Sequence, residues 1–203
     1  MHATAQAAGV ARIGPNALIQ TAAALVEARG EAAARAFFKG IGREALLVEP
    51  PRTMVDEADF IALIGALRAA YGVEAAAAVL SRSGELTAAY LLAHRIPRPA
   101  HVVLPLLPRR LALRVLLKAV GAHAWTFAGS GRFSFEVGAR RAGLRLADCA
   151  ECRGMAAREP LCRYYERCFE ALLRPLIDRR LAVREVACAA AGADACRFEV
   201  TWP

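Results

Sequence analysis

The hydrophobic period changes once along this chain, and that change limits the fold more than any other feature. Up to about residue 122 apolar residues recur at helical spacing; beyond Gly121 they alternate with polar ones, as in a half-buried strand. Leu18, Ile19, Ala22, Leu25 and Val26 define a first helix that Gly30 closes, and 31–40 forms a second with Phe37 and Phe38. After the Pro50-Pro51 break, Asp56 is a suitable N-cap for a helix bearing Phe60, Leu63, Ile64, Leu67 and Tyr71. Helical spacing returns at 73–80, at 84–94 and at 106–120, the last with a mostly apolar surface. Pro97 and Pro99 predict extended chain over 96–99.

In the second part, Phe133, Phe135 and Val137 alternate with Arg132, Ser134 and Glu136, and Leu144 and Leu146 resume the pattern after a turn at 138–143. Helical spacing over 162–179 puts Tyr165, Phe169, Leu172, Leu173 and Leu176 on one face. The stretches 181–188 and 196–201 read as strands joined by the small-residue turn 189–195. The expected class is α+β: N-terminal helices, then a four-stranded antiparallel sheet with helices packed on it. The helical part covers 1–122 and the sheet part 123–203, as one continuous domain with an N-terminal extension.

Composition excludes several classes. Hydrophobic residues make up 57% and charged residues 23%, too apolar for disorder. The apolar runs read as broken short of the roughly 18 residues of a membrane span, and the start lacks the charged-then-apolar order of a signal peptide. A cytoplasmic chain with reduced cysteines is expected. The net charge of +8 comes from 27 basic and 19 acidic residues, almost all the basic ones arginine. No basic run exceeds two residues, so nucleic acid is not an expected partner.

All six cysteines, Cys149, Cys152, Cys162, Cys168, Cys188 and Cys196, fall in the last third. Glu185, Cys188 and Cys196, with Cys162 upstream, supply three thiolates and one carboxylate, a suitable tetrahedral zinc set; small buried thiols are the alternative. Glu185 and Cys188 are an odd number of residues apart, so a regular strand would aim them at opposite faces, and a bulge or an early strand end is required. Cys149-Ala150-Glu151-Cys152 has the spacing of a zinc or redox pair, but Gly154 and Pro160 indicate a loop and no second pair completes a ribbon, so loop thiols are expected. Cys168 reads as packing. His2, His94, His101 and His123 are isolated, and Asp56-Glu57 suits capping. Gly129-Ser130-Gly131 lacks the third glycine and the following helix of a dinucleotide loop. The segment 124–131 reads as a turn or as the wall of a ligand pocket.

The C-terminal pattern Glu185, Cys188, Gly192, Asp194, Cys196, Phe198 resembles the end of the 4-vinyl reductase domain. That small-ligand-binding module occurs in phenol-sensing regulators and is akin to haem-nitric-oxide domains. Upstream, Ile13-Gly14-Pro15-Asn16, Met54-Val55-Asp56-Glu57, Arg95-Ile96-Pro97 and the 124–131 segment are similar to the bacteriochlorophyll biosynthesis protein J family. The resemblance implies an apolar pocket enclosed by sheet and helices, and a structural zinc on Cys162, Glu185, Cys188 and Cys196. It implies either a vinyl-group reductase of a chlorophyll precursor or a tetrapyrrole carrier working beside pathway enzymes such as magnesium chelatase. No nicotinamide, flavin or complete iron–sulfur motif supplies electrons, which favours the carrier. The expected partner is a porphyrin or chlorophyllide-type molecule, with Trp125, Phe127, Phe133 and Phe135 on the pocket wall. A homodimer is expected from the apolar 106–120 surface. A sensor ranks third, because the chain stops at Trp202-Pro203 just after the last strand, without an output domain.

Overall fold

The computed structural model describes residues 10–203; His2 and most of the start screened for a leader lie outside the described residues. Two short strands, β1 (Arg12–Ile13) and β2 (Val55–Asp56), pair and frame α1 (Asn16–Arg29), α2 (Glu31–Gly40) and α3 (Ala45–Val48). The long α4 (Glu57–His94), α5 (Arg98–Val103) and α6 (Arg109–Ala122) follow. Then come β3 (Arg132–Val137), β4 (Arg141–Ala147), α7 (Arg163–Leu176), β5 (Ala182–Ala187) and β6 (Cys196–Thr201). The last four strands form one antiparallel sheet in the order β3-β4-β6-β5, as the α+β reading requires.

Alternation places Leu144, Leu146, Phe198 and Val200 on the buried face, where α7 covers them. The other side of α7 meets α4, and one hydrophobic core runs from Ile13 to Val200, so the helical and sheet parts share it. The crossing is close. A Cβ on Gly84 would lie 2.3 Å from the Tyr164 carbonyl oxygen and 2.9 Å from the Cys168 amide nitrogen.

Asp56 caps α4 as expected, its Oδ1 accepting from the Ala58 amide at 2.9 Å. The helix breaks at Gly72, which adopts φ 81°, a conformation that favours glycine. Beyond it, the helices expected at 73–80 and 84–94 are one. The polar run between them finds tertiary partners: Ser83 shares a 2.8 Å hydrogen bond with Thr21, and Arg82 pairs with Glu27 at 2.6 Å. The expectation that no apolar stretch reaches the length of a span is also corrected. α4 is long and apolar enough to cross a membrane by length and composition, with a window of mean hydropathy 1.5 of which 39% is buried here. The proline segment departs from expectation as well, since α5 starts at Arg98. Pro99 sits in its first turn, where no amide donor is needed.

Candidate metal centre

Three pieces of backbone converge at the N-terminal end of α7. Cys162 stands immediately before that helix, Cys188 follows β5, and Cys196 opens β6. The parity conflict resolves as required: the β5–β6 register shifts between Glu185 and Ala187, a bulge that brings Glu185 and Cys188 to the same side. Glu185 Oε2 accepts from the Cys162 amide at 2.7 Å, and Glu166 on α7 accepts from the Glu185 amide at 2.6 Å. Sγ separations are 3.8 Å for Cys162–Cys188, 3.5 Å for Cys162–Cys196 and 3.8 Å for Cys188–Cys196. These approach the edge of about 3.8 Å that a tetrahedron with Zn–S bonds near 2.3 Å requires. All four side chains are buried, and their donor atoms lie within 4.8 Å of one another.

Cys149 and Cys152, expected to be loop thiols, join the same cluster. Cys149 Sγ lies 3.7 Å from Cys162 Sγ, and Cys152 Sγ lies 3.4 Å from Cys196 Sγ. The loop that carries them is pulled inward by residues whose role the sequence did not disclose. Glu151, wholly buried, accepts from the Tyr164 and Tyr165 amides at 2.9 and 3.2 Å, satisfying the free donors of the first turn of α7. Arg68 from α4 donates to the Glu151 carbonyl at 2.9 Å and the Leu161 carbonyl at 3.3 Å. The Ala157 amide donates to the Ala190 carbonyl at 2.8 Å, tying the loop to the β5–β6 hairpin. The two-residue cysteine spacing was the only signal available in the sequence.

The electrostatics fit a cation. Every cysteine is a free thiol. Glu185 Oε1 is buried with no hydrogen-bond partner among the described residues, and burial pushes its carboxyl up to about 8 despite the Cys162 amide. Hydrogen bonds among the sulfurs, Cys149 first, hold Cys152 below the ordinary thiol range and push Cys162 above it. A metal ion replaces the protons that such a cluster otherwise retains. Cys168 stands apart on α7, its thiol pushed to about 12 by burial, and acts as packing.

The expected ligand residues separate. Phe127 and Phe133 pack edge to face at 5.6 Å, and Phe133 meets Phe169 of α7 at 5.9 Å and Phe135 at 6.3 Å. Tyr165 secures this group by donating to the Phe127 carbonyl at 2.7 Å. Trp125, in the turn before Phe127, is 60% exposed. A cavity of about 610 Å³ opens on the outer face of the sheet, among Ser134, Glu136, Arg141, Arg145, Arg197 and Glu199. The 124–131 segment is an anchored turn: buried Glu57 accepts from the Ser130 amide at 2.8 Å and its hydroxyl at 2.7 Å, and pairs with Arg153.

Residues 143–202, which comprise most of the sheet and α7, match the 4-vinyl reductase domain family. Among solved structures, the phenol-responsive sensory domain of the transcription activator PoxR, with phenol, superposes with a TM-score of 0.54 at 16% identity, covering 72% of this chain and 74% of that one. A structure described under the molecular mechanism of H-NOX activation gives 0.50 at 12% identity, over 90% and 92%. These likenesses establish the fold: the class is a 4-vinyl reductase-domain chain of the α+β type that those two domains share. Bacteriochlorophyll synthase 23 kDa chain of Cereibacter sphaeroides is 39% identical over 191 residues, covering 93% of this chain and 90% of the relative. Its namesake from Rhodobacter capsulatus is 38% identical over 188 residues, covering 92% and 85%. The chain belongs to the family of these 23 kDa proteins.

Proposed function

We propose that this chain is a cytoplasmic accessory protein of bacteriochlorophyll biosynthesis that binds a chlorophyll-precursor tetrapyrrole and carries it without reducing it. The observation that carries the reading is the 39% identity to a 23 kDa bacteriochlorophyll synthase chain across 93% of this chain. Zinc on Cys162, Glu185, Cys188 and Cys196 is structural in this reading. Four protein donors complete a tetrahedron and leave no open position for chemistry, and the orphaned Glu185 oxygen is the group such an ion would satisfy. The tetrapyrrole would meet the rings of Phe127, Phe133 and Phe135, whose aromatic faces suit a flat apolar macrocycle. Exposed Arg132 beside Phe133 suits its carboxylate edge. A pathway enzyme such as magnesium chelatase would deliver or receive the cargo.

The test is titration of the purified chain with magnesium and metal-free porphyrins, followed by absorbance. Saturable binding without turnover is expected. Absence of saturation at micromolar ligand sinks the carrier, and reduction of a divinyl precursor by the chain with added reductant establishes a vinyl reductase instead.

A further inference from the structure

The structural zinc of the preceding reading uses four donors of a six-donor cluster. The remaining two, Cys149 and Cys152, are 3% and 2% exposed and complete a second four-donor set with Cys162 and Cys196. The two sets share only Cys162 and Cys196, whose sulfurs lie 3.5 Å apart. Two tetrahedra with a common edge have this arrangement: two donors shared, and one further pair on each side. We propose that the cluster is a binuclear centre for two divalent zinc-type ions. Cys162 and Cys196 thiolates bridge the ions, Cys149 and Cys152 close one, and Glu185 and Cys188 close the other.

Donor chemistry favours filling both sets. A single ion in either set leaves two buried donors to keep their protons or stand uncompensated, a costly arrangement away from water. Thiolate is the ligand that bridges two soft or borderline ions. Loading both ions releases five thiol protons and one carboxyl proton wherever those groups were protonated. It leaves six negative donors against four positive charges. The Ala189 amide, 3.5 Å from Cys196 Sγ, is placed to donate to a bridging sulfur and offset part of the excess. This proposal rests on the zinc reading, since the Glu185–Cys188 half is the same site.

Metal analysis of the full chain, purified without oxygen or chelator, separates the two readings. About two zinc equivalents per chain are expected, falling to about one in the Cys149→Ser/Cys152→Ser double variant with the fold retained by circular dichroism. One equivalent in the parent, unchanged in the variant, overturns the binuclear centre and leaves the single zinc standing; none overturns both. Iron with acid-labile sulfide, or a Cys149–Cys152 disulfide in the freshly prepared chain, also overturns it. Should the double variant fail to fold, cobalt titration of the parent decides. Thiolate-to-cobalt absorbance saturating at two equivalents, with a depressed magnetic moment from coupling across the bridges, supports the proposal, and saturation at one rejects it.

A separate surface carries a second inference. No acidic residue occurs between Glu85 and Glu136, whereas that stretch holds Arg95, Arg98, Arg109, Arg110, Arg114, Lys118 and Arg132. Its helices leave apolar side chains in solvent: Val102 and Val103 on α5, Leu106 (79% exposed) in the turn, and Leu111 and Val115 on α6. Leu111 and Val115 are four residues apart, as are Arg110, Arg114 and Lys118, so α6 presents an apolar stripe beside a basic one. Arg98, Arg110, Arg114 and Lys118 form no ion pair among the described residues. A second copy docked here would set these cations against their own kind. We infer that this face lies on an anionic lipid bilayer, with the valines and leucines at the acyl boundary and the cations among the headgroups. Flotation with vesicles of phosphatidylglycerol and phosphatidylcholine should carry the chain upward at low salt. The effect should be lost in phosphatidylcholine alone, in high salt, and in the exposed-position variant Leu106→Ser/Leu111→Ser. No flotation overturns the inference, as does a dimer by light scattering, or nucleic-acid binding, that the same variant abolishes while flotation persists.

Discussion

Cys196 and Cys168 are both buried thiols, yet their surroundings set opposite expectations. Cys196 opens β6 within reach of three other sulfurs, whereas Cys168 touches the apolar side chains of Ala88 and Leu172. Cys196→Ser should therefore lose bound zinc and lower the melting temperature sharply, because the ion ties α7 to the sheet. Cys168→Ala should keep its zinc and cost about 1 kcal/mol, the loss of a small buried side chain. Zinc analysis and thermal denaturation of the two variants check this pair. Glu57 offers a test by pH. Burial raises its carboxyl, but the Ser130 amide and hydroxyl and the Arg153 guanidinium outweigh that and hold it below the ordinary 4.5. The stabilisation is then fully present above that value and is lost as pH falls through the lower folded one. Glu57→Gln should cost about 1–3 kcal/mol at neutral pH and flatten the acid limb of the stability curve, measured by urea denaturation from pH 7 to pH 3. Cys162, Glu185, Cys188 and Cys196 were legible because ligand type and spacing are written in the chain. Cys149, Cys152, Glu151 and Glu57 were not. Their roles depend on how a loop docks, and Arg68, 83 residues before the Glu151 carbonyl it holds, decides that.

Elements were more readable than their joints. The β5 bulge follows from parity alone, since no regular strand presents Glu185 and Cys188 to one metal. The continuity of α4 through Ser81, Arg82 and Ser83 was hidden, because those residues look like a break until Thr21 and Glu27 arrive from α1. The start of α5 at Arg98 was likewise hidden by two prolines that serve equally as stop or as first turn. The contact of α4 with α7 gives an element-scale prediction. Gly84→Ala places a methyl 2.3 Å from the Tyr164 carbonyl oxygen, a backbone atom that no rotamer change can move aside. The helices must separate, at a cost of at least the roughly 1–3 kcal/mol typical of overpacking. Since Cys162 immediately precedes α7, zinc should also exchange faster. Gly65→Ala in the same helix meets nothing within 4 Å and should be close to neutral. Equal melting temperatures for the two variants would show that the close crossing is not a constraint.

Across the whole molecule, the metal cluster and the aromatic group occupy opposite edges of one sheet. β5 and β6 carry the cluster, and β3 at the far edge carries Phe133 and Phe135. One rigid element touches both: α7 starts beside Cys162 and presents Phe169 to Phe127, Phe133 and Phe198. A ligand entering among those rings must displace Phe169 or settle against it, and the freedom of Phe169 depends on how firmly the start of α7 is held. Metal and tetrapyrrole sites should thus be coupled although they share no residue. Coupling of this kind is reciprocal, so chelating the zinc and adding porphyrin must report the same factor. We expect porphyrin affinity to fall about fivefold or more when zinc is removed, within the usual range for coupled sites, and saturating porphyrin to strengthen zinc binding by the same factor. Phe133→Ala should weaken porphyrin binding with zinc content unchanged, since its ring lies at the other edge of the sheet. Quenching of Trp125, two residues before Phe127, reads out the titration in each case. Porphyrin affinity that is identical with and without metal would mean that α7 stays in place unaided, and that the zinc serves the hairpin alone.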